Sequence, residues 1–125
     1  MMLIVGGESQ GKLRAALRLT GLKESDAADG GSVISDEIEK FPLINNLHLL
    51  TYSILKNGKT VDGLREKLNG KTVICNEIGC GIVPIDQFER RWREETGRLC
   101  CDLARDADKV FRVHCGILQC IKGAP

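Results

Sequence analysis

Leu3-Ile4-Val5-Gly6-Gly7-Glu8-Ser9-Gln10-Gly11-Lys12 stands at the head of the chain, and each part has its own physical signature. Leu3-Ile4-Val5 is a short apolar run stopped by two glycines, the pattern of a strand buried on both faces. Gly6, Gly7, Glu8, Ser9, Gln10, Gly11 and Lys12 fit G-x-x-x-x-G-K, a phosphate-binding loop. Its glycines let backbone N–H groups turn inward around an anion, and Lys12 adds a positive charge. From Lys12 onward the residues favour a helix, with Leu13 and Leu17 on one face and Arg14 and Arg18 on another. A helix N-terminus placed there adds its dipole to the same anion site. One position departs from the full motif. Where the complete loop has a Ser or Thr that ligates Mg²⁺, this chain has Leu13.

Further along, a polar connection is expected over residues 21–31 and a short strand over 32–35. Pro42 suits a helix start, and Leu43, Leu47, Leu50 and Ile54 follow at helical spacing to Asn57-Gly58. Thr60 suits the cap of a shorter helix carrying Val61, Leu64 and Leu68. Thr72-Val73-Ile74-Cys75 reads as a second buried strand. The strongest helix spans residues 86–105, with Phe88, Trp92, Leu99 and Leu103 along one stripe. Val110-Phe111-Arg112-Val113 is another strand, and residues 118–121 a last one. Alternating strands and helices predict an α/β fold, a mainly parallel sheet with helices on its faces in three layers. Residues 6–12 and 76–84 then meet at the carboxyl edge of the strands, where open sheets of this kind bind ligands.

Composition sets the outer bounds. The chain has 125 residues, is 42% hydrophobic and 28% charged, and carries a formal net charge of +1. Those values predict one folded domain over residues 1–125 and no nucleic-acid partner, which would show as a basic excess. No run approaches the roughly 20 apolar residues of a membrane span, and the opening run is too short for a secretory signal, so a cytoplasmic protein is expected. The six cysteines lack C-x-x-C pairs and read as reduced thiols, with Cys80 in its glycine-rich loop the candidate for a reactive one.

Asn76-Glu77-Ile78-Gly79-Cys80-Gly81-Ile82-Val83-Pro84 follows the second strand. Glu77 sits where a carboxylate can hold Mg²⁺ or a ribose hydroxyl; a capping or ion-paired carboxylate is the alternative. That stretch and the later "ERRWREETGRL" resemble the adenosylcobinamide kinase / adenosylcobinamide-phosphate guanylyltransferase family of corrinoid salvage and cobalamin synthesis. The family carries a similar N-E-V-G-x-G-I-V-P stretch and then R-R-x-R-[DE]-x-x-G-R. The likeness covers residues 73–122 and returns at "IVGGESQGK".

The resemblance implies a RecA-like P-loop fold, ATP or GTP with Mg²⁺, a corrinoid alcohol as phosphate acceptor, and a homo-oligomer, a trimer in the family. Carried over by position, Gly6, Gly7, Glu8, Ser9, Gln10, Gly11, Lys12 and Leu13 would border the phosphates. Asn76, Gly79, Gly81 and Pro84 would line the site, with Lys12 and Glu77 in catalytic roles. Arg90, Arg91, Arg93 and Arg98 match the family's arginines, as ligand or subunit contacts or as a solvated helix face.

The segment from Gly21 to Pro42 is shorter than in the family, where it holds a transiently guanylylated histidine. His48 and His114 are the two histidines present, and both belong to other elements. The expectation is therefore a nucleotide-binding protein with kinase-type transfer to adenosylcobinamide, without the guanylyl step. Two other readings stand beside it: a non-catalytic nucleotide-binding or regulatory relative that has lost the Mg²⁺-ligating hydroxyl, and a corrinoid- or partner-binding protein.

Overall fold

A computed structural model describes residues 1–8, 11–33, 35–78 and 86–123. Ser9, Gln10, Gly79, Cys80, Gly81 and Pro84 of the expected site lie outside those residues. Among the described residues six strands form one sheet: β1 (Met2–Gly6), β2 (Ala27–Asp29), β3 (Leu43–Asn45), β4 (Thr72–Asn76), β5 (Lys109–His114) and β6 (Ile117–Lys122). Their order is β2-β3-β4-β1-β5-β6. The first five run parallel, and β6 returns antiparallel to β5. The helices are α1 (Lys12–Thr20), α2 (Leu47–Lys56), α3 (Leu64–Lys67) and α4 (Gln87–Asp106). This is the mainly parallel α/β architecture that the alternation of elements predicts.

β1 is central because its side chains are apolar on both faces. Leu3 pairs in register with Val73 and Val110, and Ile4 with Ile74 and Phe111. Leu3 packs with Val73, Cys75, Leu47, Leu50, Leu99 and Leu103, so α2 and α4 cover its face together with Leu64 of α3. Ile4 packs with Ile74, Phe111, Ala15 and Ala16 beneath α1 on the other face. Helices on both faces of the sheet make three layers. Complete burial of Ile4 and Leu3 is worth about 1.5–3 kcal/mol for each side chain.

Close approaches near the strand ends that border the site demand glycine at Gly6 and Gly30. A Cβ on Gly6 would stand 2.8 Å from the Val113 carbonyl oxygen, and one on Gly30 would stand 2.2 Å from that of Asn46. Gly30 thereby lets the end of β2 approach the turn after β3, where its N–H donates to the Asn45 carbonyl at 2.7 Å.

The middle of the chain departs from expectation. Residues 32–33 are turn rather than strand, and the short strand is Ala27–Asp29, inside the stretch read as a connection. Its three residues are too few and too small to show a period. Pro42 does not begin a helix. Leu43–Asn45 is a strand, and α2 starts after Asn46, which holds φ 57°. Leu43 falls on the helical spacing of Leu47 and Leu50 by coincidence of register. The change of period happens at Asn46, an asparagine that tolerates the left-handed region. The shorter helix is α3, which begins after Gly63 rather than at Thr60. α4 matches its expected span, with the Asp86 carboxylate accepting from the Phe88 N–H at 2.8 Å as its cap.

Candidate functional site

The carboxyl ends of β1, β3 and β4 border a cleft of about 790 Å³. Lys12, Leu13, Arg14, Leu17 and Arg18 form its α1 wall. Asn45, Asn46, His48 and Leu49 form the wall opposite, from the end of β3 into α2. Glu8, Gly11, Glu24 and Asn76 complete the lining.

Lys12 is the first residue of α1 and is only 7% exposed. Its Nζ donates to the Gly7 carbonyl at 2.6 Å. Burial pulls the ammonium below the usual lysine range, opposed by Cys75, Glu8 and Glu77. Gly11, at φ 81°, precedes the helix in the left-handed region, and no side chain among the described residues caps that end. An uncapped helix start beside a buried ammonium is an attractive environment for an anion.

His48 is packed at 7% exposure, and it stands in the cleft wall. Its Nδ1 accepts the Asn76 backbone N–H at 3.3 Å, which places the ring proton on Nε2. Burial, then the Lys12 charge, lower its pKa, while Glu8 and Asp29 oppose the shift. The neutral ring is thus a donor toward the cleft, because Nε2 has no protein partner among the described residues.

A buried network fixes the turn of α2 that bears it. Trp92 Nε1 donates to the His48 carbonyl at 2.8 Å and to Thr51 Oγ1 at 3.1 Å. Thr51 Oγ1 donates to the same carbonyl at 3.0 Å and lies 2.6 Å from Thr96 Oγ1. On the other side, Asp29 Oδ1 accepts from Gly31 N–H at 3.0 Å and from Asn46 Nδ2 at 3.1 Å. Those two hydrogen bonds hold the Asp29 carboxyl below its usual range and brace the left-handed Asn46.

Glu77 follows β4, and its backbone N–H donates to the Gly6 carbonyl at 2.9 Å. Its carboxylate is gripped by Arg112 of β5. Nη2 donates to Oε2 at 2.8 Å, and Nε lies 2.8 Å from Oε1. Glu77 is thus ion-paired, and it is not among the residues that line the cleft. Arg112 was a missed partner with a visible signal. A charged residue amid Val110, Phe111 and Val113, on a strand packed against β1, is partly removed from water and gains from a nearby carboxylate.

The arginines of α4 sit elsewhere. Arg90, Arg91 and Arg98 are exposed and Arg93 is half-buried, with Arg98 3.9 Å from Glu95. None of the four lines the cleft. Among the described residues, the two positions a phosphate loop uses for Mg²⁺ do not fit the ion: the Leu13 side chain has no oxygen and Glu77 is engaged by Arg112, while the carboxylates that line the cleft are Glu8 and Glu24. No group of three or more His, Cys, Asp or Glu side chains able to hold a metal occurs among the described residues.

Among those residues, no helix is long and apolar enough to cross a membrane. A search of the curated proteins finds no match. Residues 36–121 match the model of the family described as Cobinamide kinase / cobinamide phosphate guanyltransferase. The matched span runs from the turn before β3 to β6 and takes in Asn76, Glu77 and all of α4. With most of its length covered and the α/β frame in place, the chain belongs to the cobinamide kinase / cobinamide phosphate guanyltransferase family.

Proposed function

We propose that this chain binds ATP or GTP in the cleft at the head of α1, as a nucleotide-binding protein of corrinoid salvage. One observation carries the reading: the buried Lys12 ammonium and the uncapped start of α1 face the same cleft of about 790 Å³. In this reading the backbone of Gly6, Gly7, Glu8, Ser9, Gln10 and Gly11 surrounds the phosphates. Lys12 Nζ exchanges the Gly7 carbonyl for a phosphate oxygen. Asn76 and the His48 Nε2–H contact the ligand from the opposite rim, and the family resemblance assigns Gly79, Gly81 and Pro84 to the same site. Glu77 and Arg112 hold the ends of β4 and β5 together rather than touching the nucleotide.

For activity, family membership supports phosphorylation of a corrinoid alcohol, adenosylcobinamide. A second reading has its own support. Leu13 in place of a hydroxyl, and a Glu77 engaged by Arg112, favour nucleotide binding with little or no turnover. Phosphoryl transfer depends on neutralising charge as it develops on the transferred group. Titration calorimetry with ATP and GTP, paired with ADP or GDP release in the presence of adenosylcobinamide, decides between them. Release that requires the corrinoid supports the kinase. Binding without release supports the second reading, and absence of binding by either nucleotide refutes both.

Self-association, as a trimer, is part of the proposal. Ile117 and Ile121 of the edge strand β6 are 71% and 57% exposed, an apolar surface that a second copy would cover. Light scattering behind size exclusion tests it, and a monomer at all concentrations refutes it.

A further inference from the structure

Nucleoside triphosphates ordinarily enter a phosphate loop chelated to Mg²⁺. The metal takes a hydroxyl from the residue after the loop lysine and a carboxylate from a strand end. Among the described residues neither stands free at those two positions, since Glu77 after β4 is held by Arg112. Leu13 puts methyl groups on the cleft wall at the first position, and Asn45 and Asn76 put neutral amides at the strand ends. Mg²⁺ demands near-ideal octahedral oxygen and gives up water reluctantly, so a hydrated ion set against Leu13 gains no ligand there.

The wall offers guanidinium instead. Arg14 and Arg18 lie four residues apart on α1, exposed, and line the same cleft as Lys12. Neither has an ion-pair or hydrogen-bond partner among the described residues. Guanidinium binds phosphate oxygens through paired N–H groups, and it takes the edges that chelation would occupy. The nine-tenths-buried His48, with Nε2–H unpartnered, adds a neutral donor on the facing wall.

We propose that the cleft takes a nucleoside di- or triphosphate free of divalent cation, with Arg14 and Arg18 beside Lys12 supplying the countercharge that Mg²⁺ supplies elsewhere. The proposal rests on the nucleotide-binding reading above. Glu8 and Glu24 also line the cleft. They are the two groups through which a cation could still be recruited, so the test includes them.

The experiment is calorimetric titration of the intact chain with ATP and with GTP, once in EDTA and once in excess Mg²⁺ at matched ionic strength. The expected result is affinity in EDTA equal to or above that in Mg²⁺. Arg14→Ala and Arg18→Ala should each weaken binding in EDTA about tenfold, as loss of a charge-assisted contact would. Leu13→Ser should make added Mg²⁺ strengthen binding. If Mg²⁺ tightens binding to the unaltered chain tenfold or more, and Glu8→Gln or Glu24→Gln removes that effect, the inference is overturned while the nucleotide reading survives. Affinity in EDTA that neither arginine variant changes overturns it equally. Absence of binding in both buffers, with circular dichroism reporting a folded chain, removes the nucleotide reading as well.

Discussion

Replacing His48 with asparagine and with leucine separates two jobs assigned to one buried ring. Asparagine places its Oδ1 about where Nδ1 stands and can still accept the Asn76 N–H. Leucine fills similar volume but leaves that N–H without an acceptor. An unsatisfied buried donor costs about 1–3 kcal/mol, so His48→Leu should be less stable than His48→Asn by about that amount despite its better apolar fit. At this chain length 1 kcal/mol moves the midpoint of thermal unfolding by roughly 3–6 °C.

The pH dependence gives a second, independent signature. His48 is held below the usual histidine pKa by burial and by Lys12. The unfolded chain therefore takes up a proton near pH 6.5 while the folded one does not. Stability is fully present above that value. It falls as pH drops through 6.5 toward the lower folded-state pKa, and then levels off. In His48→Asn the slope in this window should vanish. Urea unfolding between pH 5 and 8 measures both effects. A leucine variant as stable as the asparagine one, or an unchanged slope in the asparagine variant, would falsify the assignment of Nδ1 as the acceptor.

The buried hydroxyl pair makes a double-mutant prediction. Thr51→Val strands the Thr96 hydroxyl and should cost about 1–3 kcal/mol, whereas the double change to valine should cost less than the two singles summed, by about 1 kcal/mol. Additive urea midpoints would show that the two oxygens are not bonded. For the half-buried Glu77–Arg112 pair, Arg112→Ala should destabilise by about 1–2 kcal/mol, discounted for solvent screening, and Glu77→Gln by less. Nucleotide affinity lost at unchanged stability in Glu77→Gln would instead mean that Glu77 touches the ligand. Lys12, whose pKa burial lowers, should regain its proton affinity when an anion arrives. Binding should therefore take up protons at alkaline pH and weaken as pH rises. Calorimetry in buffers of different ionisation enthalpy reads the uptake, and Lys12→Met should abolish it.

The outer frame was legible because its signals are local and strong. The buried runs at Leu3-Ile4-Val5 and Val73-Ile74-Cys75, the long stripe of α4 and the glycine loop each point one way, and their alternation leaves little choice of architecture. The region between Gly21 and Asn46 was read less well. A strand of three residues carries almost no periodicity, and Leu43 lies in phase with the helix that follows. The switch depends on the backbone of Asn46 and on Asp29 reaching it from a neighbouring strand. The place of His48 at the cleft is hidden from the sequence for the same reason. Only the pairing of β3 with β4 brings it to Asn76, 28 positions away. Arg112 and Glu77 are 35 positions apart, and no local pattern links them.

Gly6 serves two masters. The loop motif assigns it to the anion, yet the tightest constraint on it comes from the Val113 carbonyl, which any side chain would strike. An alanine scan that included this position would report a dead protein for reasons belonging to the β1–β5 seam, and the loss would be misread as a defect in ligand capture. Lys12→Met, which removes a charge without pushing two strands apart, is the informative probe.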